Sequence, residues 1–364
     1  MVFLVDEIQG LTLSEILPNR TSVCQYLQYV DLYHLERYVV ENCYKTGRER
    51  TIYDPIIMLK LIIVKFFREA SYVDTLHSLT DQDCRDLGLP WTPEGYIVPA
   101  KSTLHHFVKY RLKEEGVKHL MEIVGSQICR ASTEQDGIMD STPVEASRYD
   151  KYADFNVHYN CKMYKAHIFH LGDIPLFCHF SEGNASDSTH AIDMITGVEK
   201  MKSKITAVFA DGGYDAFQIH ADIHQFLHAK PYIQFRETAV KHEEGTEGRI
   251  DHWINKMWKR GGSLTAPILE KLEFLYANGR QEQVGMFLRN QNVDDTQFSV
   301  VYAKRGDCER THNHIKSIMK FDVRRVRNES KRLYVLANFV VYQILLLGHL
   351  QNNILPVQQL AHYY

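Results

Sequence analysis

The sequence predicts an α/β protein: a helical N-terminal region, then a mixed sheet flanked by helices, with a polar, partly β insertion before the last elements. Three observations carry this. Apolar residues recur at three- and four-residue spacing up to about residue 130. From Gly137 onward the order becomes strand, hairpin, helix, strand, helix, strand. Two aspartates, Asp140 and Asp211, each close a short apolar run, at the strand end where open sheets present ligands.

Composition bounds the answer without naming it. A chain of 364 residues, 45% hydrophobic and 24% charged, is an ordinary globular protein of two or three domains, which excludes global disorder. Lys and Arg total 42 against 45 Asp and Glu, so the net charge of -3 gives no support for a nucleic-acid or membrane partner. Seven cysteines without a Cys-x-x-Cys pair read as reduced thiols of a cytoplasmic protein. The start MVFLVDEIQG has acids where a signal peptide needs basic residues, so secretion is not expected. The apolar stretches 55–67 and 333–350 carry Lys60 and Lys65, and Asn338, Gln343 and His349, and are expected to be buried core helices rather than membrane spans.

In chain order, the spacing predicts helices over 12–17, 24–40, 55–69 and 103–130, with Asp54-Pro55 and Ser102 as start signals. Strands follow at 137–142, 162–171 and 174–180, the last two a hairpin around Gly172-Asp173. A helix over 189–201 capped by Ser188, a strand over 205–210 running into Asp211-Gly212-Gly213-Tyr214, a helix over 217–227 and a strand over 232–235 complete the set. The segment 237–299 is polar and glycine-rich and alternates around 274–288, which predicts an insertion with its own strands. A strand over 298–303, a helix over 307–320 and the apolar helix 333–350, packed on the sheet, end the chain.

The chemistry concentrates near the C-terminus. Two divalent cations driving phosphoryl transfer on a nucleic-acid backbone need carboxylate ligands from separate elements, and Asp140, Asp211 and Glu309 supply three. Singly, each also has an ordinary role open to it: strand-end cap, turn residue, solvated helix acid. Around Glu309 stand Tyr302, Arg305 and Lys316, in the pattern Tyr-x2-Arg-x3-Glu-x6-Lys. His312-Asn313-His314 lacks the zinc ligands of an HNH nuclease, and Gly212-Gly213 lacks the Gly-Lys-Ser/Thr of a phosphate loop.

The four-residue pattern is identified as the signature of the insertion-sequence-four group of DDE transposases. The segments around Asp140 and Asp211-Gly-Gly-Tyr214 resemble the first two catalytic strands of that group. Tyr164-Lys165-Ala-His167, Pro175-Leu176, Gly183-Asn184-Ala-Ser-Asp187 and the run 53–107 resemble further landmarks of it. The resemblance implies an RNase H-like core over 131–236 and 300–364, interrupted by the insertion 237–299 and preceded by a helical, DNA-end-binding domain over 1–130. It implies that Asp140, Asp211 and Glu309 bind two Mg²⁺ (or Mn²⁺) ions, and that Tyr302, Arg305 and Lys316 hold the transposon end. Trp258 is the candidate aromatic to brace a flipped base. Residues 301–332 carry ten basic against four acidic residues, and Arg324, Arg325 and Arg327 are expected to contact the DNA backbone.

The implied function is a cut-and-paste transposase acting on transposon-end and target DNA, as a homodimer on DNA. Two other classes compete: a DNA-binding protein derived from a transposase that no longer cuts, and an RNase H-like nuclease without strand transfer. The intact acids argue against the first, and the Tyr-Arg-Lys set against the second.

Overall fold

The computed structural model describes residues 22–44, 53–235, 252–261, 264–319, 321–324 and 326–352. The expected helix over 12–17, most of the polar stretch after residue 235, and Arg325 lie outside them. The chain separates into two compact units, one of residues 1–132 with 313–364 and one of residues 133–312.

In the first unit the helices are α1 (Val23–Tyr26), α2 (Tyr33–Cys43), α3 (Pro55–Phe67), α4 (Tyr72–His77) and α5 (Asp81–Leu87). The Asp54 carboxylate accepts from the Ile56 N–H, and Pro55 fills the first turn of α3, as the sequence implies. α3 ends at Phe67 rather than 69 because Glu69 adopts φ 51°. A two-residue ribbon, β1 (Trp91–Thr92) with β2 (Gly95–Tyr96), precedes α6 (Lys101–His106) and α7 (Lys113–Ala131). Ala100, not Ser102, is the N-cap of α6. The single helix expected over 103–130 is interrupted by a π turn at Phe107–Leu112 and by φ 57° at Lys113.

The second unit holds β3 (Asp136–Glu145), β4 (Asp154–Asn156), β5 (Cys161–Leu171), β6 (Ile174–Glu182), α8 (Ala191–Glu199), β7 (Ala207–Ala210), α9 (Phe217–Leu227) and β8 (Lys230–Ile233). β3 is central, antiparallel to β5 on one side and parallel to β7 on the other. β6 and the short β4 pair antiparallel with β5, and β8 extends the sheet parallel to β7. The hairpin turns at Gly172, where φ is +59°. Gly197 lets α8 close on β6, since a Cβ there would stand 2.4 Å from the Phe177 ring.

After β8 the structure departs from expectation. The described residues of the expected insertion form α10 (His252–Gly261), α11 (Ala266–Ala277) and α12 (Gln281–Asp294), with no strand among them. Ile268, Leu272 and Leu275 face inward at helical spacing, and Gly279 at φ +75° is the helix stop inside what reads as an alternating run. These helices share a core with Ala221 of α9. Likewise 298–302 is not a strand but a helix, α13 (Phe298–Tyr302), followed by a 3₁₀ turn at Ala303–Gly306 and by α14 (Asp307–Met319). Phe298 and Tyr302 stack at 5.5 Å one helical turn apart.

The last helix, α15 (Lys331–Gln351), belongs to the helical unit rather than to the unit that holds the sheet it was expected to cover. It lies against α7 and α3, and the Tyr26 hydroxyl donates to the Leu345 carbonyl at 2.7 Å. It is long and apolar enough to cross a membrane, yet 83% of its most apolar window is buried inside the protein.

Candidate active site

Sheet register builds the site. Met139 of β3 pairs with Ala210 of β7, so Asp140 and Asp211 are the next residues on two adjacent parallel strands. β3 continues to Glu145 on its β5 side, three residues beyond the expected end, so Asp140 is a mid-strand residue that becomes available only because β7 stops. Asp211 caps the turn Gly212–Tyr214, where its Oδ1 accepts from the Gly213 N–H at 2.8 Å.

The turn before α14 brings Arg305 against both. Its Nη2 stands 3.0 Å from Asp140 Oδ1 and 3.9 Å from Asp211 Oδ2, while Nη1 lies 3.2 Å from Glu309 Oε1, one helical turn on. The three carboxylates therefore converge on one guanidinium. Burial raises the pKa of Asp211 and the Asp140 charge adds to this, against the Gly213 hydrogen bond and Arg305. A donor set of three carboxylates gathered on one positive group suits hard divalent cations, which take oxygen ligands.

Residues 305, 308, 309 and 312 line one helical face. The Cys308 thiol donates to Asp140 Oδ2 at 3.3 Å, and His312 Nδ1 lies 3.7 Å from the same oxygen. Behind it, His312 Nε2 is 2.9 Å from Nε2 of the fully buried His170 on β5. Tyr302 is half-buried, its hydroxyl donating to the Ala210 carbonyl at 3.2 Å, and burial first of all pushes its pKa up to about 12. Lys316 lies on α14, seven residues after Glu309. Arg324 and Arg327 are exposed. Trp258 is partly buried, packed against the α10–α12 core with its ring near-perpendicular to that of Phe287.

Sequence reasoning misses several neighbours of the acids. Asp187 is held by Lys165 Nζ at 3.1 Å, and its other oxygen would be 3.3 Å from a Cβ on Gly213, the residue whose N–H binds Asp211. The landmark run 183–187 is the signal that could have flagged it. Between β3 and β4, Tyr149 and Tyr152 are exposed, followed by exposed Phe155 and Tyr159. Burial, then the charges of Asp140, Asp187 and Asp211, raise the Tyr159 pKa.

A mixed sheet with one aspartate in its central strand, a second just past the end of the neighbouring strand and a third carboxylate delivered by a C-terminal helix defines a carboxylate-centred α/β domain. The transposase DDE domain family matches residues 131–342, more than half of the chain, and the chain belongs to that family. Comparison with curated proteins gives no match. DDE transposase domains generally use divalent metals.

Proposed function

We propose that this protein is a DNA transposase of the insertion-sequence-four-like group, cutting transposon ends and joining them to target DNA by metal-dependent phosphoryl transfer. The observation that carries the reading is the meeting of Asp140, Asp211 and Glu309 on one guanidinium, within the Tyr302-Arg305-Glu309-Lys316 pattern.

Asp140, Asp211 and Glu309 would hold the divalent ions. When bound, such ions supply activation of the attacking oxygen and stabilisation of the leaving one. Arg305 neutralises the mutual repulsion of the acids in the resting protein. When DNA arrives its two-pronged guanidinium is free to clamp a phosphate, a geometry lysine lacks. Lys316 adds a point charge, and Arg324, Arg325 and Arg327 contact the backbone of the end. The exposed aromatics Tyr149, Tyr152, Phe155 and Tyr159 offer stacking faces for bases unpaired at the cleaved end. The sheet, with β3 antiparallel to β5 and parallel to β7, supplies the RNase H-like core, and α10 to α12 the inserted subdomain. Two ends must be held together, which favours a homodimer on DNA.

Strand transfer is the test. A short duplex carrying the terminal repeat with a pre-cleaved 3′-hydroxyl, incubated with protein, supercoiled plasmid and Mg²⁺, is expected to give covalently joined product, and none with EDTA. Nicking of the plasmid without any joined product would reduce the protein to a nuclease.

A further inference from the structure

At the turn that begins at Asp187 lies a second set of metal-type donors built entirely within the sheet-containing unit. β6 supplies His179. The turn Asp187–His190 supplies His190, the N-cap residue of α8, and the first turn of α8 supplies Asp193. Nδ1 of His179 and Nδ1 of His190 each lie 3.5 Å from Asp193 Oδ2, and the three donor atoms all fall within 4.8 Å of one another.

Two facts favour a cation over ordinary polar contacts. At 3.5 Å both imidazole–carboxylate contacts are longer than hydrogen bonds, which run to about 3.2 Å. Donors bound tetrahedrally at about 2.0–2.1 Å to one ion stand about 3.3–3.4 Å apart, close to the two nitrogen–oxygen spacings of 3.5 Å. The two imidazoles stack at 4.6 Å with planes 24° apart, so their rings already lie side by side next to the Asp193 carboxylate. His167 backs the pair without belonging to it. It is buried, its ring is 4.8 Å from that of His190, and its own nitrogens face Ser181 and Asp187.

We propose that His179, His190 and Asp193 form a second metal site, selective for a zinc-type transition-metal ion and chemically distinct from the carboxylate site. Two imidazoles and one carboxylate suit such ions, whereas three carboxylates suit Mg²⁺. Three protein donors leave a further position for water. Because His190 ends the turn that begins at Asp187, an ion here tethers the segment carrying Asp187 toward Gly213 and Asp211.

Cobalt spectroscopy of the full-length protein tests the site. Co²⁺ in a four-coordinate, nitrogen-containing site gives strong visible d–d bands, whereas in a six-coordinate oxygen site it absorbs weakly. The wild type and Asp211→Asn are expected to develop the same bands, saturating at one ion per chain and displaced by Zn²⁺ but not Mg²⁺. His179→Gln and His190→Gln should abolish them. Asp193→Asn, a change at an exposed helix position expected to leave the circular-dichroism spectrum unchanged, should weaken Co²⁺ binding at least tenfold. Absence of the bands in the wild type, or their persistence in both histidine variants, overturns the proposal. Retention in Asp211→Asn keeps its outcome separate from that of the catalytic reading.

Discussion

The Arg305 guanidinium lies 3.0 Å from Asp140 Oδ1 and reaches Glu309 with its other arm, so a positive side chain stands among the acids read as metal ligands. Cation and guanidinium compete for the same oxygens. Arg305→Ala should therefore bind Mn²⁺ several-fold more tightly, measured by the loss of the free-ion paramagnetic resonance signal, while cleaving DNA ends about 100-fold more slowly for want of a phosphate clamp. Arg305→Lys should not rescue cleavage, because a point charge replaces a fork. Weaker Mn²⁺ binding in Arg305→Ala would mean that the guanidinium organises the site rather than competing for it.

Asp215 and Arg289 form a buried, two-bonded ion pair at 2.7 and 2.9 Å, joining the loop after Asp211 to α12. Removing one partner strands a charge away from water, so Arg289→Met should lower stability by about 3–5 kcal/mol. Asp215→Asn with Arg289→Met together should recover part of that loss. Urea unfolding of Arg289→Met, Asp215→Asn and the double variant measures it, and equal losses in Arg289→Met and the double variant would deny the pair its coupling.

Gly285 sits where α12 crosses α9. A Cβ there would lie 1.7 Å from the Phe217 carbonyl oxygen, a backbone atom that cannot swing aside. Gly285→Ala should thus destabilise by about 1–3 kcal/mol or more despite the better helix propensity of alanine, read as a lower urea midpoint. An unchanged midpoint would place the two helices farther apart than described.

Acid should unfold the protein in two stages. His220 and His349 are buried, and burial lowers both pKa values, that of His349 to about 4. The folded state refuses a proton that the unfolded chain accepts near pH 6.5, so stability present above about pH 6.5 is lost as pH falls below it. Burial opposes ionisation of Asp215, but hydrogen bonds from His220 and Arg289 outweigh it and hold this carboxyl well below the usual range. Its contribution is full above the unfolded value of about 3.9 and disappears as pH falls toward the folded one. Urea midpoints recorded from pH 8 downward should decline first below about 6.5 and again below about 4. A flat profile between pH 7 and 5 would contradict the neutral buried histidines.

How legible these features were depends on the range over which each is determined. Phe217–Leu227 is read from its own spacing with the same bounds, and Gly172 marks its hairpin, because both are local. The carboxylates are legible too: a short apolar run closing on an aspartate marks β7 and Asp211. α11 and α12 read as strands in the sequence because apolar residues on both sides of the Asn278-Gly279 stop merge into one alternating run. Cys308 and His312 beside Asp140, and His179 beside Asp193, meet only through tertiary packing, which spacing along one segment cannot report.

The most direct test of the central claim is cleavage of a duplex bearing the terminal repeat, in Mg²⁺ or Mn²⁺, by Asp140→Asn, Asp211→Asn and Glu309→Gln. Each should lose at least about 10³-fold in rate, as forfeiting several kcal/mol of ion-held charge stabilisation implies, while gel-shift affinity for the end stays within a few-fold of wild type. Wild-type cleavage by any one of the three, or cleavage undiminished by EDTA, would contradict the account.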